Sequence, residues 1–284
     1  MTDWNLAGDP ERIELGGSPQ GIAPFAMVER FGQGDKTPVL FLHGWLMGPY
    51  IWSALAPHLP MDREFAAVWQ PAHGPAPSPD ADFTLDRWVD WLDGIVAALG
   101  WDRCVVVGHS MGSIAAQHMI HRKPHRLAGA ALVGAPCRPW EPQEKEAQLG
   151  ASAQVVANWS EPGANMLAAF LLGQPFLAAN PDFVPAWAGA VSDYDRAAMP
   201  ALAQAYLGRP GHCETLAGFE RPLAAIHGQA DVSVSPDAVT SMAMAVGQER
   251  FHLIAEAGHC PPLETPAETA AIVVDLLTKV EGAG

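Results

Sequence analysis

A serine stands in a glycine-rich turn near the middle of the chain, at the end of a short apolar stretch. The stretch 104–107 is a cysteine followed by three valines, a β-branched pattern typical of a strand buried on both faces. The turn Gly108-His109-Ser110-Met111-Gly112 follows, and a helical pattern begins after it. Flanking glycines permit a tight turn that exposes the hydroxyl, and an amide at the helix start can donate to a developing oxyanion. The pattern indicates nucleophilic catalysis, although a glycine-rich turn that simply exposes a serine has the same form.

Three further residues suited to acid–base chemistry come directly after predicted strands: His43, Asp231 and His259. In mostly parallel sheets, function gathers at the carboxyl ends of the strands, so we expect these side chains near Ser110. A serine hydroxyl needs a base to take its proton and a carboxylate to hold that base in the right tautomer. Taken singly, Asp231 also fits a turn aspartate ahead of Pro236, and His259 is equally ambiguous.

Strands that alternate with helices must position these residues. Helical spacing predicts helices at 85–99, 236–246 and 268–280, with others that begin near Pro49 and after Ser110. The alternation predicts the α/β class, in which a mostly parallel sheet is covered by helices on both faces. Apolar runs predict eight strands, at 12–15, 25–31, 38–42, 65–69, 104–107, 127–133, 223–226 and 250–255, with a turn at 16–19.

One long segment interrupts this alternation. Residues 137–215 contain no apolar strand run and are rich in Ala, Trp, Phe, Met and Pro, with several short helical patterns. The strand pattern resumes afterwards. We therefore interpret 137–215 as a helical cap inserted over the active site of a core domain formed by residues 1–136 and 216–284.

Together, these motifs resemble the α/β-hydrolase superfamily, from about residue 11 to residue 280. The resemblance rests on His43-Gly44-Trp45, the pentapeptide around Ser110, His227-Gly228-Gln229-Ala230-Asp231 and Gly258-His259. It implies that Ser110 is the nucleophile, that His259 is the general base and then the acid, and that Asp231 orients His259. It also implies an oxyanion hole formed by the backbone amides of Trp45 and Met111.

Two positions refine the resemblance. Some relatives carry the acid after the preceding strand, but residues 134–137 read Gly-Ala-Pro-Cys, which favours Asp231. Relatives often carry an aspartate where this chain has Gln70, ahead of His73-Gly74. That loop is usually structural, so the difference concerns the subfamily and not the fold.

Aromatic residues of the predicted cap indicate an apolar pocket above Ser110. We expect Trp45, Trp140, Trp159 and Trp187 to contact substrate, although aromatic residues at helical spacing more often pack the cap onto the core. Because basic residues are sparse, the expected substrate is a small to medium apolar ester or lactone. The predicted activity is a carboxylesterase-like reaction through an acyl-serine.

The same residues are also compatible with other functions. A lactonase, thioesterase, C–C bond hydrolase or perhydrolase would use the same triad. A haloalkane dehalogenase is disfavoured because its nucleophile would be an aspartate at the position of Ser110. A ligand-binding receptor or signalling protein of this fold could keep the triad and turn over slowly, because a fold does not fix a function.

The net charge of −15 argues against nucleic acid and anionic membranes as partners. No apolar run is long enough to span a membrane, and the first five residues do not resemble a secretory signal, so we expect a cytoplasmic monomer or homodimer. The spacing of histidines and of Cys104, Cys137, Cys213 and Cys260 indicates neither a metal site nor a disulfide framework. We expect no cofactor.

Overall fold

Eight strands form a single sheet in the computed structural model, which describes residues 9–17 and 20–283. They are β1 (Glu11–Glu14), β2 (Phe25–Phe31), β3 (Lys36–Leu42), β4 (Arg63–Val68), β5 (Cys104–His109), β6 (Leu127–Val133), β7 (Leu223–Gly228) and β8 (Phe251–Ile254). Their order across the sheet is β1-β2-β4-β3-β5-β6-β7-β8. The pairs β1–β2 and β2–β4 are antiparallel, and all the others are parallel. The predicted α/β class is confirmed; the predicted turn at 16–19 and the start of the predicted core domain lie partly outside the described residues.

The parallel register brings the carboxyl ends of neighbouring strands together. Leu42 of β3 pairs with Gly108 of β5, which pairs in turn with Leu132 of β6. Val133 of β6 pairs with Ile226 of β7. The loops that follow β3, β5, β6 and β7 therefore leave the sheet at one edge, and this edge carries the candidate site.

Helices cover the sheet, and β5 is buried along its whole length because side chains cover both of its faces. Within the described residues the helices are α1 (Leu85–Ala98), α2 (Met111–Arg122), α3 (Pro142–Ala157), α4 (Glu161–Leu171), α5 (Gln174–Ala179), α6 (Phe183–Ser192), α7 (Met199–Leu207), α8 (Cys213–Ala217), α9 (Pro236–Val246), α10 (Pro261–Glu264) and α11 (Pro266–Gly282). Helix α2 packs against β5, α11 against β6 and α9 against β7. None of the described helices is long and apolar enough to cross a membrane.

The helix predicted near Pro49 is wrong in type. Two short 3₁₀ turns occupy this stretch, Pro49–Trp52 and Ala56–His58. Pro57 explains the interruption, because its ring removes an amide donor and clashes with the preceding turn of an α-helix. Ile51 and Trp52 are nevertheless fully buried, so the apolar face was recognised correctly.

Between β6 and β7 the chain forms helices α3 to α8 and no strand. This segment corresponds to the predicted cap at 137–215, although α8 continues across the predicted end to Ala217. We call residues 137–215 the helical insertion.

A disulfide joins Cys137 to Cys213, which contradicts the expectation of no disulfide. The two cysteines lie 76 residues apart in sequence. They meet because β6 and β7 are adjacent strands, so the insertion must leave and re-enter the sheet at neighbouring points. The amide of His212 donates to the carbonyl of Cys137 at 2.7 Å, so a hydrogen bond also joins the two ends of the helical insertion beside the disulfide. Disulfides persist in oxidising compartments and are rare in the cytosol, so this bond is evidence against a cytoplasmic location. The location itself stays a prediction.

Candidate active site

Ser110 occupies a strained turn between β5 and α2. Its φ angle is 52°, in the left-handed region that non-glycine residues rarely adopt. The Ser110 amide donates to the carbonyl of Val133 at 2.7 Å, which fixes the turn to the neighbouring strand. A Cβ atom on Gly108 would lie 2.4 Å from the carbonyl oxygen of Gly112, and one on Gly112 would lie 2.2 Å from that of Leu42. Only glycine fits at these two positions, as the sequence pattern indicated.

His259 and Asp231 complete a hydrogen-bonded chain with Ser110. The His259 Nε2 atom lies 2.9 Å from Ser110 Oγ, and its Nδ1 atom lies 2.7 Å from Asp231 Oδ2. The Asp231 side chain has no solvent exposure, and His259 is also buried. The backbone amide of His259 donates to the carbonyl of Leu171 at 2.7 Å, so the helical insertion holds the loop that carries this histidine. The structure thus brings together the three side chains that the sequence singled out.

The charges of this pair favour a basic imidazole. Burial would raise the pKa of Asp231, but the charge of His259 and its hydrogen bond outweigh burial and hold the pKa below its ordinary value. Burial would likewise lower the pKa of His259, but the Asp231 carboxylate raises it above its ordinary value. In its neutral form with Nδ1 protonated, His259 presents a free Nε2 lone pair to Ser110.

Asp231 has further contacts that sequence reasoning missed. The Ser233 amide and hydroxyl both donate to Asp231 Oδ1, at 2.8 Å and 2.6 Å. The Ser233 Oγ atom also lies 2.8 Å from His259 Nδ1. His227 Nε2 lies 3.4 Å from Asp231 Oδ2. A serine two residues after an aspartate is a common local turn pattern, and only the fold shows that this one reaches the histidine.

The residues expected to form the oxyanion hole are Met111, directly after Ser110, and Trp45, in the loop after β3. Met111 is the first residue of α2, where backbone amides have no partner within the helix. Trp45 follows β3, and the next residue, Leu46, has a positive φ of 57°. The Leu46 amide donates to His73 Nε2 at 2.9 Å, and the His73 Nδ1 atom lies 2.8 Å from the carbonyl of Pro71. His73 thereby supports the Trp45 loop.

The helical insertion holds the same loop from the other side. The Trp187 indole donates to the carbonyl of Leu46 at 2.7 Å, and the Tyr194 hydroxyl donates to the carbonyl of Met47 at 3.1 Å. The sequence contained no signal for these contacts, because they join residues about 140 positions apart.

Two histidines beside the site form hydrogen bonds with backbone groups. His43 Nδ1 lies 2.8 Å from the carbonyl of Gly44, and its Nε2 accepts from the Gln70 amide at 3.0 Å. His109 Nε2 lies 2.9 Å from the carbonyl of His259. Burial lowers the pKa of His43, and it lowers that of His109 to about 3, so both rings are neutral. Neither is placed to take a proton from Ser110.

A cavity of about 260 Å³ opens above Ser110 and His259. Of the four tryptophans expected to contact substrate, Trp45 and Trp140 line it. Trp159 and Trp187 do not line it, and their contact with substrate stays a prediction. Trp159 donates to the carbonyl of Ala188 and packs edge-on against Trp187, whose indole supports the Trp45 loop.

The rest of the cavity wall is mostly apolar and comes largely from the helical insertion. Its members include Val155, Leu167, Phe170, Leu171 and Tyr206. No Asp, Glu, Lys or Arg is among the described residues that line it. No group of three or more His, Cys, Asp or Glu side chains within the described ranges is arranged to hold a metal ion.

The sheet order and the helices that cover it define an α/β protein of the hydrolase type. A family model described as the alpha/beta hydrolase fold matches residues 37–266, and the chain belongs to this family. The chain is 29% identical over 256 residues to a pimeloyl-[acyl-carrier protein] methyl ester esterase from Aromatoleum aromaticum, a match that covers 86% of this chain and 99% of the relative.

Solved structures share the fold. An esterase from Thermogutta terrifontis matches with a TM-score of 0.82 at 23% identity, over 96% of this chain and 99% of that one. An enol-lactonase from Burkholderia xenovorans matches with a TM-score of 0.80 at 16% identity, over 92% of this chain and 99% of that one. At these identities the likeness establishes the fold alone.

Proposed function

We propose that this protein is a serine hydrolase that cleaves carboxylic esters through an acyl-serine intermediate. The observation that carries the proposal is the continuous chain from Ser110 Oγ to His259 to Asp231, with contacts of 2.9 Å and 2.7 Å, beneath an apolar cavity. A nucleophile, a base in reach of it and a carboxylate that orients the base are the three parts that acyl transfer needs.

The reaction proceeds in two halves. Ser110 Oγ attacks the ester carbonyl carbon while His259 Nε2 takes the hydroxyl proton, and the amides of Trp45 and Met111 stabilise the oxyanion. When the tetrahedral intermediate collapses, the ester C–O bond breaks and His259 returns the proton to the departing alcohol. Water then attacks the acyl-serine with His259 as the base, the acid is released, and Ser110 regains its proton.

The cavity supports an uncharged substrate of small to medium size. Its volume of about 260 Å³ lies just below the range of about 300–1,000 Å³ that is usual for ligand pockets. A second apolar space of about 120 Å³ shares Trp45 and Ser152 with it and is lined by Leu149, Val156 and Met199. We propose that short and medium acyl chains fit and that longer ones do not.

Helices of the insertion supply much of the cavity wall, so we propose that residues 137–215 act as a cap over the site. The names of two similar proteins support this substrate class, since one is a methyl ester esterase and one an enol-lactonase. A lactone is therefore the second substrate type to test, because ring opening uses the same two half-reactions. We propose that the substrate is a small ester or lactone and that the reaction uses no cofactor.

The test is hydrolysis of p-nitrophenyl esters from acetyl to decanoyl, and of a simple lactone, by the wild type and by Ser110→Ala. Mass spectrometry after a fluorophosphonate probe accompanies it. Ser241→Ala is the matched control, because this half-buried serine donates within α9 to the carbonyl of Asp237 and does not line the cavity. We expect repeated turnover and a single label at Ser110, both lost in Ser110→Ala with a fall of at least about 10⁴-fold in kcat.

Two results would contradict the proposal. If Ser110→Ala were as active as the wild type and Ser110 were unlabelled, the acyl-serine mechanism would be wrong. If the wild type labelled at Ser110 but released product only once, with ligand-dependent stabilisation, a receptor would be the better reading.

A further inference from the structure

We infer that Ser233 is a positioning residue of the proposed reaction: its hydroxyl joins Asp231 to His259 and fixes the carboxylate and the imidazole relative to each other. The inference rests on the proposed function, because it assigns Ser233 a part in proton transfer from Ser110. Ser233 acts through His259 and not on the reacting atoms.

Three contacts of Ser233 carry the inference. Its amide lies 2.8 Å and its hydroxyl 2.6 Å from the same atom, Asp231 Oδ1. The hydroxyl oxygen is also 2.8 Å from His259 Nδ1, almost as near as Asp231 Oδ2 at 2.7 Å. Since a hydroxyl has one proton and two lone pairs, it can donate to Oδ1 and accept from Nδ1–H at once. The Nδ1 proton is then shared between Asp231 and Ser233.

This arrangement fixes which carboxylate oxygen faces the imidazole. The last side-chain torsion of an aspartate has a broad preference, so a single hydrogen bond does not determine which oxygen faces a given partner. Here the two donors from Ser233 occupy Oδ1, so Oδ2 alone remains for His259. The imidazole ring is likewise held at Nδ1 from two directions, which keeps Nε2 aimed at Ser110.

The loop around Ser233 is itself anchored. Ser235, two residues on, caps α9 by accepting from the amide of Ala238. Arg138 of the helical insertion donates to the Ser235 hydroxyl at 3.3 Å and is paired with Glu144 at 2.8 Å. Val232, the residue before Ser233, is 66% exposed, whereas Ser233 and the buried Val234 both line the cavity. Ser233 is therefore held on the inner side.

A contact with substrate is the alternative role, because Ser233 also lines the cavity. The two roles differ in kinetics. Loss of a positioning contact lowers kcat at nearly constant KM, whereas loss of a uniform substrate contact raises KM at constant kcat.

The variants are Ser233→Ala, which removes the hydroxyl, and Ser233→Thr, which keeps the hydroxyl and adds a methyl group. Ser235→Ala is the matched control, since it removes a hydroxyl from the same loop that does not touch the triad. For Ser233→Ala we expect kcat to fall about 10-fold with KM within about 2-fold of the wild type, as for one lost charge-assisted hydrogen bond. For Ser233→Thr we expect kcat within about 3-fold of the wild type. Ser235→Ala loosens the loop but keeps both contacts of the Ser233 hydroxyl, so we expect kcat to fall by less than about 3-fold.

A second readout does not depend on turnover. The Nδ1 proton of His259 gives a downfield proton NMR signal, assigned by its absence in His259→Ala. We expect this signal to shift and to exchange faster with water in Ser233→Ala, and to change less in Ser235→Ala. If Ser110→Ala retained full activity, the proposed function would fail, and this signal would still report whether Ser233 holds His259.

Either of two outcomes would overturn the inference. One is a Ser233→Ala variant with wild-type kcat and an unchanged Nδ1 signal. The other is a rise in KM at constant kcat, which would make Ser233 a substrate contact. An equal fall in kcat for Ser233→Ala and Ser235→Ala would trace the effect to the loop and also overturn it.

Discussion

The disulfide between Cys137 and Cys213 leads to a stability prediction that the structure allows to be worked out. Closing a loop of 76 residues removes conformational entropy from the unfolded chain, which corresponds to about 4.5 kcal/mol at 25 °C in the chain-entropy model. With an unfolding entropy of about 2.1 cal/mol/K per residue, this amounts to a change of about 7 °C in Tm for a chain of 284 residues. We therefore expect reduction of the disulfide to lower Tm by about this amount.

The assay is thermal unfolding with and without a reductant, on the wild type and on the double variant Cys137→Ala/Cys213→Ala. The double variant should unfold near the Tm of the reduced wild type and should not respond to reductant, which controls for other effects of the reagent. Cysteine counting checks the bond directly. In denaturant without reductant, alkylation should modify only Cys104 and Cys260, which are free and buried in the fold.

Two observations would refute this reasoning. Alkylation of all four cysteines before reduction would mean that the bond does not form in solution. A reduced wild type whose Tm falls by less than about 2 °C would mean that the unfolded chain is already compact around this loop, so that closing it costs little entropy.

Three further predictions concern the histidines. His73→Ala removes the acceptor of the Leu46 amide, so we expect the loop that carries Trp45 to shift. In steady-state kinetics kcat should then fall about 10-fold at similar KM. An unchanged kcat would mean that His73 does not support the site. Because His259 must be neutral to accept a proton and its pKa is raised, the acidic limb of kcat/KM against pH should have its midpoint above about 6.5, and a midpoint below that value would contradict the charge assignment. Burial lowers the pKa of His109 to about 3 and that of His73 to about 4. As the pH decreases from about 6.5 to about 4, these histidines bind protons in the unfolded chain before they do so in the fold, so the free energy of unfolding should decrease. Urea unfolding across this pH range measures it, and a constant free energy of unfolding would refute the prediction.

The strands and the turn around Ser110 were accessible from sequence because their causes are local. A β-branched run at 104–107 favours a buried strand, and the glycines at 108 and 112 are required by close approaches of backbone within and beside the same turn. The order of Ser110, Asp231 and His259 along the chain was equally informative, because each follows a parallel strand of the same sheet. The 3₁₀ turns after Pro49 were missed because helical spacing of apolar residues does not report a proline break by itself.

The tertiary structure decided everything that depends on which distant segments meet. It paired Cys137 with Cys213, placed Trp159 and Trp187 outside the cavity, and gave Ser233 its contact with His259. Tryptophans at helical spacing look alike in a sequence whether they face a cavity or a neighbouring helix, because spacing defines a face and not what covers it. By itself, the sequence determined the elements, their alternation and the residues at the strand ends. The packing of the helical insertion on the sheet determined the shape of the cavity and the contacts that hold the triad, because these arise between residues far apart in the chain.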